Sequence, residues 1–272
     1  MNQDEVNQLT KAIGILENPN FAIKAAGFVG MPVEKVIGLL PNSVQEKISV
    51  VAQKAILGAL KVSLKTMNTT YVSIDSAPPE ASNWWHTTTV AASGGVAGFF
   101  GIGAVAAEIP ISTTIMMRSI ADVARSEGAN LNEIETLLEC VQIFALGGIS
   151  TNDDAAEIGY FVAREALAKA ITDAAAHIAK HGVTQEGAPA IVRLINLIAE
   201  RYSLQISEKT AATVVPLIGA AGGALINTLF ITHFQDVAKA HFLIRRLEKL
   251  HGQELVKIKY AEIRGTLRIA KS

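Results

Sequence analysis

Apolar positions recur at helical spacing from one end of the chain to the other, and the runs rich in β-branched residues are few and short. The pattern predicts an all-α fold, a multi-helix bundle. An amphipathic helix spans Asp4 to Leu16 and is closed by the turn Asn18-Pro19-Asn20. A short helix starts at Pro32, a residue suited to a first helical position. Ser43-Val-Gln-Glu46 reads as a capping box, in which hydroxyl and carboxylate each satisfy an orphan amide. It opens a helix on which Ile48, Val51, Ala55, Ile56, Ala59 and Val62 fall on one side.

The pattern lapses between Asn68 and Ser82, a surface connection carrying Ala77-Pro78-Pro79. A glycine-rich apolar stretch follows to Ala107, then a helix opening at Pro110 and reaching about Arg125, then another from Asn132 to Leu146 ended by Gly147-Gly148. Thr151 or Asn152 caps a long alanine-rich helix, with Asp153, Asp154 and Glu157 against its positive end, and Gly182 stops it. Helices from Pro189 to Arg201, Ser207 to about Gly223 and Leu225 to Leu250 complete the body, and Val256 to Ile269 is basic and ambiguous.

Two segments depart from an ordinary amphipathic pattern. Ala81 to Ala107 contains no Asp, Glu, Lys or Arg, and Gly94, Gly95, Gly98, Gly101 and Gly103 crowd within it. Thr210 to Gln235 is likewise uncharged apart from His233. Each is long enough to span a bilayer, which takes about 20 apolar residues. Glycine costs about 1 kcal/mol in a helix relative to alanine, so such density needs a structural return. Gly94-x-x-x-Gly98 and Gly219-x-x-x-Gly223 would let two helices approach closely, in a membrane or in a soluble core. Both readings are open: a buried hairpin in the bundle, or a segment that inserts into or lies on a membrane.

Ile120-Ala-Asp122-Val-Ala-Arg125 matches Phe234-Gln-Asp236-Val-Ala-Lys239, and each follows a glycine-rich stretch. One helical domain over residues 1–272, with pseudo-repeat halves at about 85–128 and 205–250, would account for it. Chance likeness between alanine-rich helices is the alternative.

Apolar residues make up 50% of the chain and charged residues 18%, below the usual quarter, and the mean hydropathy is +0.32. More apolar surface than usual must therefore be hidden in a core, on a membrane or under a partner. Lysine plus arginine (24) nearly balances aspartate plus glutamate (25), which argues against nucleic acid as a partner. The single cysteine, Cys140, excludes an intramolecular disulfide. The polar start, Met1 to Lys11, lacks the pattern of a secretory signal, so a cytoplasmic location is expected.

Catalytic motifs are wanting. His177 and His181 have the spacing of a zinc-binding helix, but Ile178 stands where the general-base glutamate belongs. No nucleophile elbow or phosphate loop occurs, and Gly98 to Gly103 only loosely approximates a dinucleotide fingerprint. Neither catalytic residues nor a cofactor or metal site is expected.

Glu108-Ile-Pro110 with Arg118-Ser-Ile120, Glu139-Cys140-Val-Gln-Ile-Phe144-Ala-Leu-Gly147, Val215-Pro216 through Gly219 and Gly223 to Asn227, and Ala240-His241-Phe242-Leu-Ile-Arg245-Arg246-Leu247 together resemble the EcsC protein family. The resemblance covers roughly Pro32 to Leu250 and implies a bacterial-type helical protein of poorly defined role. The family is named after a component encoded beside an ABC transporter, which implies work near the inner membrane. Some members have been labelled peptidases, and no residue of this chain carries that label over.

The leading expectation is a non-enzymatic cytoplasmic protein, peripheral at the inner membrane, that docks on lipid or binds an apolar ligand. The candidate contacts are Trp84, Trp85, Gly94, Gly98, Phe99, Phe100, Gly219, Gly223, Asn227, Arg245 and Arg246. Trp84 and Trp85 suit a membrane interface, and the basic C-terminal third suits anionic headgroups. A soluble protein-interaction or immunity-type protein, with another protein as partner, and a hydrolase without a recognisable motif are the alternatives.

Overall fold

The computed structural model describes residues 1–17, 42–67, 102–147, 159–182, 188–214 and 219–269. Among them lie eight helices and no strand: α1 (Gln3–Leu16), α2 (Asn42–Met67), α3 (Ile102–Ser126), α4 (Ile134–Leu146), α5 (Gly159–His181), α6 (Pro189–Val214), α7 (Gly219–His251) and α8 (Gln253–Ile269). The all-α expectation holds.

α4 is the axis of the bundle. Its thirteen residues carry one charge beyond the first turn, Glu139, and every residue from Cys140 to Leu146 is buried. A helix apolar on all sides has to be enclosed, and α2, α3, α5, α6 and α7 all pack against this one. At its C-terminal half Phe144 meets Tyr202 of α6 and Phe234 of α7, with ring centroids 4.9 and 5.3 Å apart. Phe230 joins them edge-on to Phe234, at 5.1 Å. Such tilted aromatic contacts each add about 0.5–1.5 kcal/mol beyond burial, and they tie three helices at one level.

Side-chain pairs fix how the long helices run. Thr113 bonds Tyr202 and Glu108 bonds Lys209, so α3 and α6 are antiparallel. Gln235 donates to Ser119, and Arg246 pairs with Glu127, so α3 and α7 run parallel. These two helices carry the matched Ile120 and Phe234 stretches and lie side by side. α8 turns back at Gly252, whose φ of 87° favours glycine, and packs on α7 and α1.

Several boundaries differ from the sequence pattern. α3 begins at Ile102, and Pro110 lies within it. Proline removes the amide hydrogen that would reach back one turn and crowds the carbonyl there, yet the helix continues around it. The hydroxyls of Thr113 and Thr114 donate to the carbonyls of Ile109 and Pro110. α2 starts at Asn42, so Ser43 sits inside its first turn. The break expected between Arg201 and Ser207 is absent: α6 is continuous, because Tyr202, Gln205, Ile206 and Lys209 form one buried stripe across it. Gly223 therefore belongs to α7, which Gly219 opens. Val256–Ile269, ambiguous in the pattern, is helical and lies in α8.

Candidate functional site

The two uncharged stretches of sequence lead into α3 and α7, and the described parts of these helices meet α6 at one end of the bundle. Here Lys209 donates to both oxygens of Glu108, at 2.8 and 3.0 Å, and its ammonium lies 4.8 Å from the centroid of the Phe230 ring. The lysine side chain is buried, and a carboxylate with an aromatic face is what an ammonium requires there. One step further in, Thr113 gives its proton to the Ile109 carbonyl, so Tyr202 donates to the Thr113 oxygen at 2.8 Å. Burial pushes the Tyr202 phenol up, which keeps it a neutral donor.

Gln205 sits on the α6 stripe between Tyr202 and Lys209 and is buried, and neither end of its amide has a partner. Asn227, one turn before Phe230 on α7, has a buried, unpartnered Oδ1. Beside Lys209, the half-buried Glu208 has its carboxyl pushed up to about 7 by burial. At about this level each of the three helices exposes one apolar residue on the face away from its buried stripe. Ile111 lies between Glu108 and Thr113 on α3, Leu204 between Tyr202 and Lys209 on α6, and Leu225 just before Asn227 on α7; they are 61%, 47% and 38% exposed.

A second polar cluster lies further along α7. Arg245 grips Glu139 of α4 through Nε and Nη2, at 3.1 and 2.8 Å, and also reaches Glu248 at 3.0 Å. Arg164 of α5 holds the other side of Glu248 and touches the Tyr160 oxygen at 3.4 Å. That leaves the Tyr160 hydroxyl proton for Nδ1 of His241, 2.9 Å away, so the imidazole proton sits on Nε2, which has no partner. Burial, then Arg164 and Arg245, hold His241 well below the ordinary histidine range. Burial also raises Tyr160 to about 12 against the pull of Arg164. The cluster is a lattice that ties α4, α5 and α7, and its charged groups are spent on one another.

Of the expected contacts, Asn227 lies at the α3–α6–α7 junction, with Gly219 and Gly223 in the preceding turns of α7. Arg245 belongs to the lattice, and Arg246 is bound to Glu127 and Gln8. Trp84, Trp85, Gly94, Gly98, Phe99 and Phe100 lie outside the described residues. Gln205, Glu208, Lys209, Ile111 and Leu204 were not singled out by sequence reasoning; the one signal for them was the buried-stripe spacing of Tyr202, Gln205 and Lys209. The His177 and His181 rings stand 4.9 Å apart, and among the described residues no three metal-binding side chains gather. Glu108 is held by Lys209, and Asp122 by Arg125 at the surface.

The stretches noted in the sequence thus carry the inter-helix ties: Glu108, Ser119, Glu139, Phe144, His241 and Arg245 each reach another helix. The model of the EcsC protein family matches residues 23–247. The chain belongs to the EcsC protein family. The match runs across α2 to α7 and takes in both the junction and the lattice. Comparison with curated proteins and with solved structures found no match.

Proposed function

We propose that this EcsC-family chain is a non-enzymatic, cytoplasmic protein that docks on a membrane surface, or holds an apolar, lipid-like ligand, through the bundle end where α3, α6 and α7 meet. One observation carries the reading: the two uncharged, glycine-rich stretches run into α3 and across the α6–α7 turn to one end of the bundle, where Ile111, Leu204 and Leu225 are each exposed. Single exposed apolar residues are ordinary, but uncharged stretches that converge on one end together with such residues are what a lipid surface would cover.

Among the described residues no helix is long and apolar enough to cross a membrane, and docking at the surface requires none. Arg245 and Arg246 lie about 30 Å along α7 from Leu225 by helix rise, each engaged with carboxylates, so the reading does not rest on them.

Flotation of the purified full chain with phosphatidylcholine vesicles, alongside fractionation of cells with high-salt and carbonate washes, tests the proposal. The protein is expected to rise with the vesicles and to leave membranes in carbonate. A chain that stays at the bottom of the gradient and wholly in the cytosol, with a stoichiometric protein crosslinked to it, contradicts it and favours a protein-interaction role.

A further inference from the structure

α2 turns a row of lysines away from the bundle. Its buried side, with Ala52, Ile56 and Ala59, packs on α3, α4 and α6. Lys47, Val50, Lys54, Gly58 and Lys61 follow one another at steps of three and four residues, which puts them on one face, opposite that side. Lys47 and Lys54 are exposed, Val50 between them is 50% exposed, and a Cβ built on Gly58 would meet nothing within 4 Å. The face is therefore uncovered. From Lys47 to Lys61 it runs about 21 Å by helix rise, and the whole helix has four lysines against one acid, Glu46.

These lysines lack counter-charge. Among the described residues neither Lys47 nor Lys54 meets a carboxylate. Basic side chains elsewhere are answered: Arg245, Arg246, Lys257 and Arg264 each pair with a glutamate. On α5 the exposed Lys169 and Lys180 share one helix face with the acids Glu165 and Asp173. The α2 face is positive along its length, and the fold supplies nothing to balance it.

The shape of the row selects its partner. A straight line of cations with a valine and bare backbone between them fits a flat anionic surface. Lysine ammonium groups reach lipid phosphates at the ends of their apolar stems, while the valine rests at the headgroup boundary. Duplex nucleic acid calls for a broad basic field, and a chain with 24 basic and 25 acidic residues does not provide one.

We propose that α2 lies on an anionic bilayer surface through Lys47, Val50 and Lys54, with lipid phosphates as the counter-charge. This goes beyond the apolar docking above, because it stands on other residues and specifies the charge of the lipid.

The test is flotation of the full chain with phosphatidylcholine vesicles, plain or containing phosphatidylglycerol. Phosphatidylglycerol should increase the bound fraction, and salt at about 0.5 M should remove the increase. Lys47→Gln and Lys54→Gln should each weaken the phosphatidylglycerol-dependent partition about fivefold without moving the melting temperature, and Lys54→Arg should retain it. Lys169→Gln, which changes the net charge equally, should leave it unaltered.

Equal flotation with and without phosphatidylglycerol overturns this inference and leaves the apolar docking standing. Flotation only with phosphatidylglycerol, weakened in both α2 variants, upholds it and removes the apolar docking. A loss in Lys169→Gln as large as in Lys54→Gln, or no loss in either α2 variant, overturns the assignment to this face. A chain that ignores phosphatidylglycerol and binds duplex DNA through the same lysines overturns the lipid as the partner.

Discussion

Arg164 lays its guanidinium on the Glu248 carboxylate through two parallel hydrogen bonds of 2.8 and 2.9 Å, locking α5 to α7. Bidentate pairing is the strong geometry for these groups, and both side chains are largely shielded, Glu248 more than Arg164. Removing one partner strands the other charge. Arg164→Met is therefore expected to destabilise the chain by about 3 kcal/mol, and the double replacement Arg164→Met with Glu248→Leu by clearly less. Arg245 also leans on Glu248, so the double variant keeps some loss. Urea unfolding of the two variants and the native chain gives the comparison.

Gly147 is the tightest glycine in the described structure. A Cβ there would stand 2.7 Å from Cε1 of Phe234 and 3.1 Å from Nε2 of His233, which itself bonds the Gly147 carbonyl. Both neighbours are packed in the core, so Gly147→Ala should lower stability by about 1–3 kcal/mol. Gly58, inside α2 with nothing within 4 Å of a built Cβ, is the opposite case. There alanine should raise stability by about 0.5–1 kcal/mol, through helix propensity and a less flexible unfolded chain. Thermal melts of the two variants should move in opposite directions.

Glu208 and His241 give the pH dependence of stability opposite signs. Glu208 titrates near 4.5 unfolded and near 7 folded. The folded state holds the proton longer, so stability falls as pH rises through that window and stays low above it. Glu208→Gln should then stabilise the chain by about 1–3 kcal/mol at pH 8 and have little effect at pH 4. Unfolding curves at the two pH values settle it.

His241 works the other way. Its folded value lies well below the ordinary 6.5, because of burial and then Arg164 and Arg245. Tyr160, Arg164 and Arg245 face it, and none offers it a negative charge. Its contribution is complete above pH 6.5 and is lost as the unfolded chain takes up the proton below that. In the Glu208→Gln background, stability should drop by about 2 kcal/mol between pH 7 and pH 5 from this group. His241→Gln in the same background should reduce that slope.

The architecture was legible where periodicity is local. α4 could be read from a run with hardly a charge, and the ends of α1 and α5 from the Asn18-Pro19-Asn20 signal and Gly182, because caps and stripes are short-range features. The junction was hidden for a physical reason. Glu108 and Lys209 are 101 positions apart, and Tyr202, Gln205 and Lys209 put polar side chains on a buried stripe, which reads locally as a break. The pairing of the basic C-terminal third was hidden in a related way. Arg245, Lys257 and Arg264 find Glu139, Glu165 and Glu17 from distant segments, and no local pattern announces such pairing. The uncharged stretch before α3 runs into this end of the bundle, while Gln205, Glu208 and Lys209 come to it from α6.

The most direct test of the account places a reporter at each end of one helix. Leu225 and Leu250 are both exposed on α7, about 37 Å apart by helix rise. Cys140 is buried and its thiol is pushed far up, so it stays silent to labelling. Leu225→Cys and Leu250→Cys, each carrying an environment-sensitive fluorophore, are to be mixed with lipid vesicles. A blue shift at position 225 with none at position 250 is the predicted result; a shift at position 250 alone, or at neither, contradicts docking through the α3–α6–α7 end.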